Sequence, residues 1–377
     1  MKQAATALQQ PMSCSRATAT NGVLLARALA DARPKSNPSG AQLLEELRSM
    51  ILAGDIGGTH ARLALLDMTG AQPNVRVEQT FPSREYGSLD EIVGEFLKEH
   101  ETPVEHACFG VAGPVRDGLS KTSNLPWVVS AKQLGKLLGL AEVSLINDLE
   151  ANALGLNTLQ PEDFVVLNEG APDVAGNAAI ISAGTGLGEA GLHFEGKVRR
   201  PFASEGGHAD FAPRNELEIA LLRHLLTRFD HVSYERVLSG PGLVNIYYFL
   251  RDTVRGEEPL WLTDQLRCED PAAVIAQAAL VGRAELCAKA LDIFVSIYGA
   301  EAGNLALKAE ATAGVFVGGG IAPKIIKKLK EPAFMEAFVA KGRMKRFLEA
   351  IPVRVIMNDS TALVGAALCA AKEGETS

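Results

Sequence analysis

Leu52-Ala53-Gly54-Asp55-Ile56-Gly57-Gly58-Thr59-His60-Ala61-Arg62-Leu63 reads as an apolar strand, a glycine turn and a second strand. A comparable passage, Ile181-Ser182-Ala183-Gly184-Thr185-Gly186-Leu187-Gly188, returns far downstream. Glycine lets backbone N–H groups approach an anion closely and tolerates positive φ, and the adjoining threonine adds a hydroxyl donor. Two such hairpins suggest a clamp for phosphate, held mostly by backbone. Asp55 in the first turn would repel bare phosphate, so it fits if a divalent cation screens it or if it faces elsewhere. The combination points to a magnesium nucleotide.

A lone glycine turn between strands is ordinarily just a hairpin. Gly186, Gly188 and Gly191 also have G-x-G-x-x-G spacing, but a dinucleotide fingerprint must open a helix. Here Glu189-Ala190-Gly191-Leu192-His193-Phe194 continues as a strand into Glu195-Gly196-Lys197 and another turn, and the chain holds no G-x-x-x-x-G-K-[ST] loop.

The 377 residues, 47% hydrophobic and 22% charged, have room for two domains. A formal charge of -8 without a concentrated basic run, apart from Lys324, Lys327, Lys328 and Lys330, argues against nucleic acid as a partner. Five scattered cysteines with no C-x-x-C pair fit a reducing compartment and no structural zinc. No apolar stretch approaches the roughly 20 residues of a membrane span, so a soluble, cytoplasmic protein is expected. Residues 1–40 are rich in Ala, Ser and Thr, with Lys2, Arg16, Arg27, Arg33 and Lys35 against Asp31 alone. They read as a disordered extension or as an organelle transit peptide, which would change the location.

From Ile51 the expected order is strands 51–55, 61–67 and 75–81, helix 88–100, strand 105–112, helix 130–139, strand 142–147 and a helix from Leu149, after a short helix over 41–50. Strand, glycine turn and strand begin again near Asn177. Helices are expected over 215–229, 241–254, 271–309 and 323–349. Between them Gly314-Val315-Phe316-Val317-Gly318-Gly319-Gly320 is an apolar strand ending in three glycines, a third close-approach turn that suits the flat face of a nucleoside. A strand over 352–357 and a helix over 361–371 close the chain, the last helix returning to the first domain. The expected boundaries are 41–158 with 358–377 for a small α/β domain and 159–357 for a large one.

Ile146-Asn147-Asp148 ends a strand just before a helix, where α/β sheets open to ligand. An isolated Asn-Asp there would commonly cap the helix. Glu205-Gly206-Gly207-His208 and Glu235, before Ser239-Gly240-Pro241-Gly242, add to it. With Asn124 and Asn147 they make a set of donors and acceptors suited to vicinal hydroxyls, the chemistry of a sugar. A hydroxyl attacking a γ-phosphate needs positioning, a proton acceptor and charge neutralisation. Asp148 suits the acceptor role, and its low intrinsic pKa is expected to keep it ionised at neutral pH.

Gly54-Asp55-Ile56-Gly57-Gly58-Thr59, Ala183-Gly184-Thr185-Gly186-Leu187-Gly188, Glu205-Gly206-Gly207-His208-Ala209-Asp210-Phe211-Ala212-Pro213, Glu235 to Asn245 and Gly318-Gly319-Gly320-Ile321-Ala322-Pro323 together resemble the bacterial-type glucokinase family. The resemblance implies an α/β, two-domain actin-like ATPase (ribonuclease H-like) fold with a ligand cleft between domains. It implies Asp148 as base and Asn124, Asn147, Asp148, Glu205, His208 and Glu235 as glucose contacts. Phosphate loops fall on Gly57, Gly58 and Thr59 and on Gly184, Thr185 and Gly186, and the adenosine loop on Gly318, Gly319 and Gly320. Asp55 would hold Mg2+ through water. The ROK sugar kinases differ, since their Glu-x-Gly-His precedes a cysteine-rich zinc motif, whereas here Ala209 to Pro213 follows and the next cysteine is Cys268.

The expected activity is ATP-dependent phosphorylation of glucose at its 6-hydroxyl, the first step of glycolysis, with glucose and ATP as partners and ATP and Mg2+ as cofactors. Rivals are a kinase for fructose or mannose and a non-catalytic sugar sensor on the same scaffold. Retained Asp55, Asp148 and all three glycine loops argue against the sensor. ADP or polyphosphate stays open as donor, and so does oligomeric state, a homodimer among the options.

Overall fold

Met50–Ile56 (β1) buries Ile51, Leu52, Ala53 and Ile56, so side chains on both faces of this strand need cover. It receives that cover at the centre of a five-stranded sheet ordered β3 (Gln72–Pro82), β2 (His60–Thr69), β1, β4 (His106–Val111) and β8 (Ser144–Asn147). The first three strands are antiparallel, and β4 and β8 run parallel to β1. A small sheet of β5 (Val115–Arg116), β6 (Leu119–Lys121) and β7 (Val128–Ser130) lies between β4 and β8 in sequence. The computed structural model describes residues 50–69, 72–122, 125–171, 174–196, 198–253 and 256–374. The extension 1–40 and most of the helix expected over 41–50 lie outside them. Met50, assigned above to that helix, instead opens β1.

The second sheet repeats the plan. Its order is β12 (Val198–Ser204), β11 (Leu187–Glu195), β10 (Ala178–Ala183), β13 (Gly314–Gly318), β14 (Val353–Ile356) and β9 (Phe164–Asn168). Again three antiparallel strands lead into two parallel ones, with β9 added antiparallel at the edge. The two glycine hairpins, β1–β2 and β10–β11, thus occupy equivalent places in the two sheets.

Helix α1 (Leu89–Glu99) starts where Ser88 Oγ accepts the Glu91 N–H, and it covers one face of the first sheet with Ile92, Val93 and Phe96 against Leu52 and Phe109. Helix α2 (Ala131–Leu138) ends at Gly139 in the left-handed region. Helix α3 (Asp148–Gly155) follows β8 directly. The second sheet carries α4 (Glu216–Leu225), α5 (Gly240–Asp252), α6 (Leu260–Cys268), α7 (Pro271–Leu280), α8 (Glu285–Ala309), α9 (Ile326–Leu329), α10 (Pro332–Val339) and α11 (Lys345–Glu349), and α12 (Thr361–Gly374) ends the described chain. Two expected helices are therefore broken. The one over 271–309 stops at Val281 and resumes at Glu285, because Gly282 turns the chain at φ 65°. The one over 323–349 divides at Glu331-Pro332 and again at Gly342, φ 55°, since proline restricts the residue before it and glycine favours a turn.

Helix α3 is covered on two sides. Ala151 packs with Ile51, Ala53, Cys108, Ala362, Leu363 and Ala366 of β1, β4 and α12. Leu149 and Ala153 pack with Ala178, Ile180, Ala190 and Leu192 of β10 and β11. The helix therefore wedges between the two sheets, with α12 pressed along it and against β1 and β4. The crossing is tight enough to exclude a methyl group. A Cβ on Gly365 would stand 1.8 Å from Ala151 O, and one on Gly155 2.1 Å from Thr361 O.

Gly365→Ala should therefore cost about 1–3 kcal/mol through overpacking. Gly94→Ala, on a helix position with open space around it, is the control and should be neutral or stabilising by about 0.5–1 kcal/mol. Thermal melts of the two variants side by side check this; equal melting of both would remove the steric account of the crossing.

Candidate active site

The hairpin ends of both sheets, the start of α3 and the loop ahead of α12 surround a cavity of about 570 Å³. Asp148 lies on its floor. Asn147 caps α3, its Oδ1 accepting the Leu149 N–H at 3.0 Å while its Nδ2 donates to Gly113 O at 3.2 Å. The same Leu149 N–H reaches Asp148 Oδ1 at 3.0 Å. Capping thus falls to Asn147, which leaves the Asp148 carboxyl facing the cavity as the first residue of the helix.

Enclosure pushes the Asp148 carboxyl up to about 7, with the neighbouring Asp55 and Glu205 charges adding to the shift and the Leu149 N–H opposing it. This corrects the expectation of an ordinary, low carboxylate. The desolvation that raises the value depends on the second sheet closing over α3, which residue type alone does not express.

Asp55 also faces the cavity, paired with Arg62 Nη2 at 3.0 Å. The guanidinium additionally reaches Glu78 at 3.8 Å and the Asp359 carboxylate at 3.6 Å, and donates to Asp359 O. Arg62 so ties β2 to β1, to β3 and to the loop before α12. It was not singled out in the sequence, although an arginine inside an otherwise apolar, buried strand was available as a signal.

Gly57, Gly58, Gly184, Thr185 and Gly186 line the cavity from the two hairpins. Thr59 stands at their junction, its Oγ1 3.3 Å from Thr185 Oγ1. Gly318, Gly319 and Gly320 line the cavity too. Gly319 has φ 81°, and a Cβ on it would stand 2.4 Å from Ala183 O, so only glycine brings this turn flat against the hairpin. The helix expected to begin at Pro323 starts at Ile326 instead, after a run of turns. Beneath both loops, the Tyr298 hydroxyl of α8 accepts the Ala183 N–H at 3.2 Å and donates toward Gly318 O at 3.3 Å.

Glu205, His208 and Glu235 line the cavity as well, Glu235 directly beside Gly186 of the second hairpin. Glu205 and His208 are largely exposed to the cavity and 3.9 Å apart. Glu235 is fixed by the Leu187 N–H, donated to its Oε2 at 3.0 Å. Asn124 lies outside the described residues. Asn152, Ser182 and Ser204 also line the cavity, and Ser182 Oγ has no hydrogen-bond partner among the described residues. None of the three was picked out in the sequence.

Asp55, Asp148, Glu205, Glu235 and Asp359 against Arg62 make the lining acidic. Such oxygen-rich walls suit hydroxyl ligands and a hard cation. Among the described residues no group of three or more His, Cys, Asp or Glu side chains forms a metal cage. The acidic lining, with Asp55 beside the glycine hairpin, has the chemistry to take magnesium, which binds through one or two carboxylates together with phosphates. Among the described residues no helix is long and apolar enough to cross a membrane.

Residues 52–373 match the protein-family profile described as Glucokinase. The glucokinase of Nostoc punctiforme is 42% identical over 339 residues, which span 86% of this chain and 99% of the relative. The crystal structure of a glucokinase from an Antarctic psychrotroph superposes with a TM-score of 0.73 at 33% identity, covering 86% of this chain and 99% of that one. A ROK family glucokinase from Streptomyces griseus, in complex with glucose and AMPPNP, has a TM-score of 0.59 at 22% identity, covering 86% and 100%. These neighbours share the actin-like ATPase fold, built on the paired sheets described above. Because the match runs from β1 into α12, and so through each loop around the cavity, the chain belongs to the glucokinase family.

Proposed function

We propose that this cavity is where the chain phosphorylates glucose at its 6-hydroxyl with ATP, giving glucose 6-phosphate, and that Asp148 is the general base. The observation that carries the assignment is that Asp148, the sugar-type cluster of Glu205, His208 and Glu235, and both glycine hairpins open on one cavity. The 6-hydroxyl attacks the γ-phosphorus, the new O–P bond forms as the bond to the β–γ bridging oxygen breaks, and ADP leaves. The hydroxyl proton passes to Asp148, whose raised pKa makes it a stronger acceptor than an ordinary carboxylate.

Asn147, Glu205, His208 and Glu235 hold the sugar hydroxyls, with Asn124 as a further contact. Gly57, Gly58, Thr59, Gly184, Thr185 and Gly186 hold phosphate oxygens through backbone N–H and hydroxyl groups, and Gly318, Gly319 and Gly320 lie against adenosine. Asp55 would hold Mg2+ through water, and the cation would neutralise charge on the β- and γ-phosphates. Residues 41–158 with 358–377, and residues 159–357, are read as two lobes closing over the substrates, which excludes water as a competing acceptor. This chemistry fits the cytoplasm.

Asp148→Asn should lower kcat by roughly 10²–10⁴-fold while leaving glucose binding largely intact, since the amide keeps the shape but accepts no proton. Retention of more than about a tenth of kcat on that scale would remove Asp148 from the base role.

The pH profile carries a sign. A base must be ionised, so kcat/KM for glucose should fall as pH drops through about 7. Stability runs the other way. The raised carboxyl favours folding fully only below its unfolded pKa of about 4 and loses that contribution as pH rises through about 7. Asp148→Asn should therefore be more stable than the native protein at pH 8, on the order of 2 kcal/mol, and equal to it near pH 4. Melting curves at the two pH values decide the point.

Glu205→Ala and His208→Ala should each raise KM for glucose far more than KM for ATP, the unsatisfied partners left behind costing about 1–3 kcal/mol. Equal effects on both substrates would mark the loop as structural. A coupled assay across glucose, fructose and mannose with ATP, ADP or polyphosphate tests the choice of sugar and donor.

A further inference from the structure

Below the sugar end of the cavity lies a second group of ionisable side chains that takes no part in the chemistry above. Glu189 of β11 and Glu301 of α8 are both buried, at 1% and 0% exposure. Their carboxyls are close enough for each to act on the other's charge, and Glu189 Oε1 finds no donor among the described residues. Two ionised carboxylates cannot bond each other, but one proton between them satisfies both.

Each carboxyl also touches a different sugar loop. Glu189 Oε2 lies directly under Gly206, where a Cβ would stand 2.1 Å from it. Glu301 Oε2 accepts Asn304 Nδ2 at 2.7 Å, and the same amide donates to the Tyr234 hydroxyl at 3.0 Å. Tyr234 itself hydrogen-bonds Glu301 and precedes Glu235 in the chain. A single buried pair thus underlies both Glu205-to-His208 and Glu235.

We propose that Glu189 and Glu301 share one proton and act together as positioning residues for the two sugar-binding loops. The inference rests on assigning Glu205, His208 and Glu235 to the sugar.

Burial, reinforced by the Glu301 charge and opposed by Lys308, pushes the Glu189 carboxyl up to about 8. Above that, two negative charges face each other in a dry site and drive Glu189 from beneath Gly206. The other charged or titratable groups around the pair are few. Helix α8 contributes Tyr298 and Lys308, the latter 3.3 Å from Glu301 Oε1. The 234–236 turn contributes Tyr234, whose phenol burial raises well beyond the working range. Arg214, Glu218 and Lys341 stand behind Glu301, and burial lowers the Lys341 ammonium. Helix α3, which meets β11 where Leu149 crosses Gly188, carries Asp148 and Glu150. Glu205 and His208 lie on the loop above. Strand β10 has no charged residue, and β12 presents Ser204 opposite Glu189.

The experiment is calorimetric binding of glucose to the full chain, without nucleotide, between pH 7.5 and 9.5. In the native protein the glucose Kd should rise about tenfold over this range, the limit for one linked proton being about tenfold per pH unit. In Glu189→Gln and in Glu301→Gln one carboxylate and one amide donor remain, so Kd should stay flat and within about threefold of the native value at pH 7.5. In Lys341→Met the alkaline rise should persist. A flat native profile, or an unchanged rise in either Gln variant, overturns the pairing. Should the Gln variants fail to fold, amide exchange of residues 204–209 in the native protein decides, because protection should drop between pH 7.5 and 9.5 beyond the chemical rate increase, and constant protection overturns the proposal. Glu205→Ala at pH 7.5 separates this from the underlying assignment. If it leaves glucose Kd unchanged, the sugar reading itself is wrong, whatever the pH profile of the pair.

Discussion

The contact on which the rest of the molecule depends is the crossing of α3 and α12, where Gly155 and Gly365 let backbone meet backbone. It sets the distance of α3 from the first sheet, and Leu149 and Ala153 on the opposite flank set its distance from the second. The helix has no freedom to adjust because packed interiors leave no slack of even a methyl group. Asp148 stands at its first position, so the carboxyl proposed as base is placed by close packing on both flanks rather than by a loop. That suits phosphoryl transfer, in which positioning supplies much of the rate.

The same enclosure explains the electrostatics. Asp55 and Glu205 both bear on Asp148, and its carboxyl is taken out of water as well. In an isolated fold this is a destabilising arrangement, held by the hydrophobic clusters on either side of the wedge. Arg62 relieves part of it by engaging Asp55, Glu78 and Asp359 at once. Helix α8 contributes too, with Tyr298 bonded to Ala183 and Gly318 beside the glycine loops and Glu301 one turn later linked through Asn304 to Tyr234, next to Glu235. One rigid element thereby supports both ends of the cavity.

The parts of this arrangement legible in the sequence were those written in local backbone chemistry. Glycine hairpins after apolar strands, the Asn147-Asp148 pair at a strand end and the three glycines at 318–320 each announce a conformation through residues next to one another. Asp117-Gly118 was equally plain as a hairpin turn, with both residues at positive φ. It was missed because β5 and β6, of two and three residues, are too short to display alternation. The Glu189–Glu301 pair was invisible for another reason, since it owes its role to partners brought near only by the sheet order and by α8. Periodicity also overran its limits at Gly282 and Pro332, where an apolar pattern continued through a break in the helix.

The position of α12 has a consequence for synthesis. Strand β1 is made early, but the helix that covers its Ile51 and Ala53 face is translated only after the whole second sheet. At bacterial-like rates of roughly 5–20 residues per second, that face waits on the order of tens of seconds for its cover. The nascent first sheet therefore emerges with an apolar side open until α12 follows. That waiting face belongs to the same strand that later leads into the first glycine hairpin.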